Sequence, residues 1–373
     1  MLIVMKYKIS NICAKLMLVC VSTLLALGFA EAFARILNIG PDVHRVRTHV
    51  ENSAYQASSN PILGYELKPN FRCSTPNLHE TFPYINAHGQ RDIERSLEKK
   101  PGWKRIVVLG DSVAAGHRVW DLNQTISRWM DRLMVEDRVE VLNFGMGGYC
   151  TRAEVELLRT KALKFDPDMV ILIFVKNDFR DFNSQISHYR IQRPKYIEWL
   201  FIHSRLFRTL AMETDWMHFA SENKDYWIND RQFEEIGGNN VEQGFELLQQ
   251  LSLEYGFSCL IAVWPRFDDD GIVDVDNGGD GLWLDGDKKA APPQGPRMTV
   301  ERLAEKFRLP HFRLSGYFKE DFQNRQSERE AGATPKSLYA AGDDTHPSPL
   351  GARVAAAALV DKARSIWNGG RLE

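Results

Sequence analysis

The sequence predicts an α/β fold. A five-stranded parallel sheet is covered on both faces by helices, a three-layer α/β/α sandwich, behind an N-terminal membrane helix. Three observations predict it. From Arg105 onward, short apolar or β-branched runs alternate with helical stretches, the rhythm of a parallel sheet with helical crossovers. The run 169–175 is apolar throughout, as a strand buried on both faces must be. Residues 16–30 carry no charge and follow Lys6, Lys8 and Lys15, the pattern of a membrane-directed segment.

Residues 1–38 read as an anchor or a signal segment. Ala30-Glu31-Ala32 has the small-x-small form of a cleavage site. The apolar pattern continues through Phe33, Ala34, Ile36 and Leu37, as one uninterrupted helix would, and this favours a retained anchor. Residues 39–102 are rich in Pro, Asn and polar groups and read as a stalk and small accessory lobe, with extended pieces near 64–67 and 82–85. The main domain, 103–373, has strands at 105–110, 139–143, 169–175, 258–263 and 311–314. Between and after them lie helices at 125–136, 152–164, 245–255, 300–307 and 350–366.

Two insertions interrupt this order. Residues 179–242 are aromatic-rich and contain Trp199, Trp216 and Trp227. Such residues more often fill a lid's own small core than stack on sugar rings. Residues 266–298 are acidic and Gly-rich. They lack the spacing of a calcium loop: Gly278 stands where a ligand is needed and no Glu closes the loop, so a solvated loop is expected.

Composition narrows the function. The 373 residues are 44% hydrophobic and 26% charged, ordinary for a globular chain. A net charge of −2 supplies no basic field for a nucleic acid. The five cysteines form no C-x-x-C pair, which argues against a zinc ribbon or a thioredoxin-like site. Neither a G-x-G-x-x-G dinucleotide loop nor a G-x-x-x-x-G-K phosphate loop is present.

Four short motifs stand where a parallel sheet presents ligand-binding groups, beyond the strand ends or in a late loop. Gly110-Asp111-Ser112 closes the first strand, so a serine hydroxyl sits at a helix start with backbone donors nearby. The plain alternative for such a serine is a helix cap. Gly145-Met146-Gly147-Gly148 follows the second strand; glycines there either free an amide toward the cleft or make a tight turn. Asn177 follows the third strand as a side-chain donor or an Asx turn. Asp343-Asp344-Thr345-His346-Pro347 lies in a late turn, where an acid three residues before a histidine can orient its ring. Spacing selects Asp343 over Asp344 for that task.

Together these motifs resemble the SGNH (GDSL) hydrolase family, over about 105–367 with both insertions unmatched. The resemblance implies a flavodoxin-like sheet. It implies Ser112 as nucleophile, His346 as general base and Asp343 as acid. It further implies an oxyanion hole from Ser112, Gly148 and Asn177, with no metal or cofactor required. The third block departs from the family pattern, since Val175 replaces its glycine. Gly64-Tyr65-x-Leu67-Lys68-Pro69-Asn70 and Asn86-x-x-Gly89-x-Arg91 resemble a membrane-anchored bacterial subgroup. The implied function is a serine esterase acting on an acylated, especially acetylated, small molecule or glycan of the envelope. The domain would then lie outside the cytoplasmic membrane, or be secreted if the leader is cleaved. An O-acyltransferase would use the same groups, and a silent glycan-binding scaffold is a further alternative. An α/β-hydrolase elbow is excluded, because Ala114 stands where G-x-S-x-G needs its second glycine.

Overall fold

A computed structural model of the chain describes residues 2–37, 39, 54–58, 60, 62–63, 65–73, 82–179, 193–219, 240–274 and 300–369. In chain order the elements are α1 (Leu2–Ile36), β1 (Tyr55–Ala57), β2 (Tyr65–Leu67), β3 (Lys104–Gly110), α2 (Ser112–Ala115), α3 (Ile126–Leu133), β4 (Val139–Gly145), α4 (Thr151–Thr160) and β5 (Met169–Phe174). Then come α5 (Lys195–His203), α6 (Arg205–Glu213), α7 (Asn240–Tyr255), β6 (Ser258–Val263), β7 (Arg266–Phe267) and β8 (Ile272–Val273). The chain ends with α8 (Val300–Lys306), β9 (His311–Arg313), α9 (Ser315–Asn324), α10 (Gln326–Glu330), α11 (Pro335–Tyr339) and α12 (Pro349–Trp367). Two compact units result: Met1–Val50 with Ile191–Asp225, and Glu51–Arg190 with Tyr226–Glu373.

The larger unit holds the expected sheet. All its pairs are parallel, in the order β4-β3-β5-β6-β9. Counted along the chain this is 2-1-3-4-5, the flavodoxin-like winding, whose crevice opens beyond the carboxyl ends of its first and third strands. Alternate residues serve opposite faces. Ile106 and Val108 pack with apolar residues of α3, α9 and α12, and Val107 and Leu109 with those of α4, α7 and α8. The Ala-rich stripe of α12 lets it lie close on α3. Its start is fixed by Ser348, whose Oγ accepts the Gly351 N–H at 3.0 Å with Pro349 next in line; such a cap is worth about 1 kcal/mol. Helices α9 to α11 were not expected from the sequence.

The sheet's edge strand explains residues 54–100. Their described part lies in the same compact unit as the sheet. β4 has a free edge, and side chains fill it. The Val141 carbonyl accepts from Arg95 Nη2 at 2.7 Å, and the Val141 N–H donates to Asp131 Oδ1 at 2.9 Å. The Asn143 N–H donates to Asp92 Oδ2 at 3.2 Å. Asp92 is fully buried; burial raises its pKa, against the pull of the Arg95 guanidinium at 2.9 Å. Buried Arg105 bonds Glu140 at 2.7 Å and the carbonyls of Leu97 and Phe165, which ties the approach to β3 into the sheet. The expected extended pieces appear as β2, paired antiparallel with β1, and as a bridge between Arg72 and Tyr84.

The smaller unit joins α1 to α5 and α6 of the aromatic insertion. α1 contains Ala14–Ile36, 23 residues long and apolar enough to cross a membrane. A small core forms beside it from Ile197, Phe201, Ala211 and Phe219, with the two phenylalanine rings stacked at 4.0 Å. The tryptophans expected to fill that core do not. Trp199 and Trp216 are exposed, because phenylalanines occupy the inward positions; Trp227 lies outside the described residues. In the acidic insertion, β7 and β8 form a short hairpin, and Gly278 with Asp276, Asp280, Asp285 and Asp287 lies outside the described residues.

Candidate active site

The carboxyl end of β3 delivers Ser112. Asp111 caps α2, its Oδ1 accepting the Val113 N–H at 2.8 Å. Ser112 is thereby the first helical residue, and its N–H is one of the unpaired donors of a helix start. The loop after β4 runs beside α2. The Met146 N–H donates to the Gly110 carbonyl at 2.9 Å, and Gly145 lies so close to the backbone of Ala114 and Ala115 that no Cβ would fit. Gly148 takes φ +79°, a left-handed conformation that glycine adopts freely. Its N–H donates to no acceptor among the described residues.

His346 arrives from the loop before α12. Its Nε2 lies 2.9 Å from Ser112 Oγ, and its Nδ1 lies 2.6 Å from Asp343 Oδ2. Asp343 is heavily engaged. Oδ1 accepts the backbone N–H groups of Thr345 at 2.9 Å and His346 at 2.8 Å, and Oδ2 also pairs with Arg118 Nε at 3.1 Å. Burial alone would raise its pKa. Hydrogen bonds from His346 and the two amides outweigh that and hold Asp343 well below the usual carboxylate range. Its stabilising contribution is therefore complete above that range and is lost only as pH falls through the lowered value. Asp344 turns elsewhere: its Oδ1 accepts from Thr345 Oγ1 at 2.9 Å, and its carbonyl accepts the Phe267 N–H at 2.8 Å.

Sequence reasoning missed several neighbours. Arg118 is one; its backbone is left-handed, φ +65°, and its guanidinium fills the space that a Cβ on Gly342 would need. His117 lies in a wall with Tyr55 and Phe82. Tyr55 Oη is 3.2 Å from His117 Nε2, the Phe82 ring meets the His117 ring edge-on at 4.9 Å, and the His117 and His346 rings are 6.0 Å apart. Arg91 donates to the carbonyls of Ala115, Gly116 and Val119, holding the segment that follows Ser112. The only signal for Arg91 was its place in Asn86-x-x-Gly89-x-Arg91. A buried acidic pair was also missed. Burial raises Glu154 and Asp178 well above the usual range; repulsion from Asp178 and Asp111 adds to the first, and repulsion from Asp111 to the second. Asp178 Oδ2 accepts the Val175 N–H at 2.9 Å, which fixes the end of β5. Asn177 lies in the 3₁₀ turn Lys176–Phe179 that follows; its side chain is not among the described groups.

The arrangement can take a proton from a serine hydroxyl, pass it through one imidazole and keep that ring's tautomer fixed. That is the requirement for nucleophilic attack on a carbonyl.

No protein-family model and no curated protein matches the chain. Solved structures similar to it include a lipase/acylhydrolase from Enterococcus faecalis, with 16% identity, 70% of this chain and 96% of that chain covered, and a TM-score of 0.37. A catalytic mutant of an acetylxylan esterase from Geobacillus stearothermophilus has 16% identity, coverage of 71% and 96%, and a TM-score of 0.37. A two-domain esterase active on acetylated mannans has 13% identity, coverage of 70% and 50%, and a TM-score of 0.38. Likeness at this level bears on neither activity nor substrate.

Two outcomes follow for p-nitrophenol release from p-nitrophenyl acetate. Asp343→Asn should lower kcat by about 10⁴-fold by releasing the wrong tautomer, while Asp344→Asn stays near wild type; the reverse order would move the acid by one residue. Arg118→Gln should cost less than Asp343→Asn. It should also move the acid limb of the pH–rate profile upward, since a positive charge beside the dyad is gone; an unmoved limb would reduce Arg118 to a packing role.

Proposed function

We propose that the chain is a serine esterase of the SGNH (GDSL) type that removes an acyl group, in the first instance acetyl, from an envelope or exported glycan. The observation that carries the reading is the contact chain from Ser112 Oγ through His346 to Asp343, at 2.9 and 2.6 Å. In this reading Ser112 Oγ attacks the ester carbonyl and its proton passes to His346 Nε2. The carbonyl oxygen takes up the negative charge against the N–H groups of Ser112 and Gly148 and the amide of Asn177. Each such donor is worth about 10²–10³-fold. Collapse expels the alcohol, which takes the proton from His346. Water, deprotonated by the same ring, then releases the acid and restores Ser112. The glycan assignment rests on the membrane helix and the resemblance to anchored family members.

α1 is read as a retained anchor. Glu31, the middle residue of the small-x-small motif, accepts from Ser204 Oγ and from the N–H groups of Arg205 and Leu206 at 2.8–2.9 Å. Cleavage after Ala32 would strip the start of α6 of its acceptor. The chain beyond α1 is read as lying outside the cytoplasmic membrane on the resemblance to anchored family members, since Lys6, Lys8 and Lys15 before the span are matched by Arg35, Arg45 and Arg47 after it.

Ser112→Ala should fold as wild type by circular dichroism, lose p-nitrophenyl acetate hydrolysis by at least about 10⁴-fold, and fail to label with a fluorophosphonate probe. Labelling of the mutant as strong as wild type would remove Ser112 from the chemistry. A C-terminal alkaline phosphatase fusion should be active and a cytosolic reporter fusion silent; the opposite pattern would end the envelope assignment.

A further inference from the structure

The aromatic insertion is not used by the site just described, and its exposed residues call for an explanation. Tyr196 and Trp199 stand three residues apart on α5, so they share one helical stripe; they are 66% and 57% exposed. The stripe opposite is used inward, by Ile197 and Phe201. Leu210 on α6 and Trp216 just beyond it are also exposed. Four large exposed side chains thus fall within one short stretch, 196–216. Tyr and Trp are instead the residues that settle at the headgroup level of a bilayer.

The second observation is where this hairpin is fastened. Glu31 holds the start of α6 by the three hydrogen bonds above, and Arg35 bonds both Glu31 Oε1 at 2.6 Å and the His203 carbonyl at 2.6 Å. Both residues lie in the last two turns of Ala14–Ile36. A helix rises about 1.5 Å per residue, and about 20 residues cross the hydrocarbon core. The 23-residue stretch therefore reaches the headgroup layer near Glu31 and Arg35. The charged clamp and the hairpin it holds share that depth.

We propose that α5 and α6 form a platform lying in the outer interface of the bilayer that α1 crosses, with Tyr196, Trp199, Leu210 and Trp216 seated among lipid headgroups and upper acyl chains. The proposal rests on α1 being a retained span. Its occupant is lipid. α1, which packs against α6 in the same compact unit, exposes Phe29, Phe33 and Ile36 as well. The platform also gives Arg35 and Arg205 a place beside anionic headgroups.

α1 contains no tryptophan, which makes tryptophan quenching by lipid a report on the platform rather than on the anchor. Full-length protein is reconstituted into phosphatidylcholine–phosphatidylglycerol vesicles, with or without dibrominated phosphatidylcholine. The fluorescence ratio of the two samples is compared between wild type and the Trp199→Phe/Trp216→Phe double variant. Wild type should be quenched, and the double variant should lose most of that quenching. Sodium carbonate extraction is run on both proteins. Pelleted proteins quenched to the same degree, or not at all, overturn the platform and leave the anchor standing. Release of both proteins into the supernatant overturns the span and the platform with it.

Discussion

The carboxylate of Asp343 is the point on which the site depends. One oxygen is filled by two backbone N–H groups of its own turn, and the other faces the His346 ring and Arg118. A carboxylate so saturated has one orientation, and the imidazole inherits it. The turn is itself held from the sheet side. Trp264, directly after β6, donates its indole N–H to the Thr345 carbonyl at 2.9 Å, and the Ala341 N–H donates to the His346 carbonyl at 2.8 Å. The last strands therefore position the histidine, as the first strand positions the serine. The 2.9 Å contact between them joins residues 234 positions apart in the chain.

Much of the sheet was legible because its strands are rich in apolar and β-branched residues, with a turn signal at the end of several. Met169–Phe174 needed only its side-chain types to be placed, since burial on both faces leaves no polar position to confuse the pattern, and Ser258–Val263 is apolar after its first residue. That Ser112, His346 and Asp343 come together was legible for a related reason: each follows an element end, where short motifs are informative. The helices between Ser315 and Tyr339 were not, because they are short and partly exposed, with weak periodicity.

What could not be read was anything made by long-range pairing of ordinary polar residues. Nothing near Asp92, Arg95 or Asp131 announces that they finish the edge of a strand some ten to fifty positions later in the chain. Arg118 is one arginine among many until the fold sets it beside Asp343. The Pro- and Asn-rich composition of 39–102 suggested a stalk and small accessory lobe. Composition reports local preference, whereas Tyr65, which donates to the Gly147 carbonyl at 2.8 Å, is held by contacts across the fold. The tryptophans of the insertion misled in the opposite sense, since size suggested burial and the smaller phenylalanines took the interior.

The filled edge of β4 has a consequence for how this protein meets other chains. A free strand edge is a template onto which an extended peptide or a second copy can add itself. Here the groups such a visitor would need at Val141 and Asn143 are already engaged by Arg95, Asp131 and Asp92, and the opposite edge, β9, offers only three residues. Sheet extension is thus closed at one end by a buried ion pair and at the other by brevity. Among the described residues, the five-stranded sheet is left no long open edge.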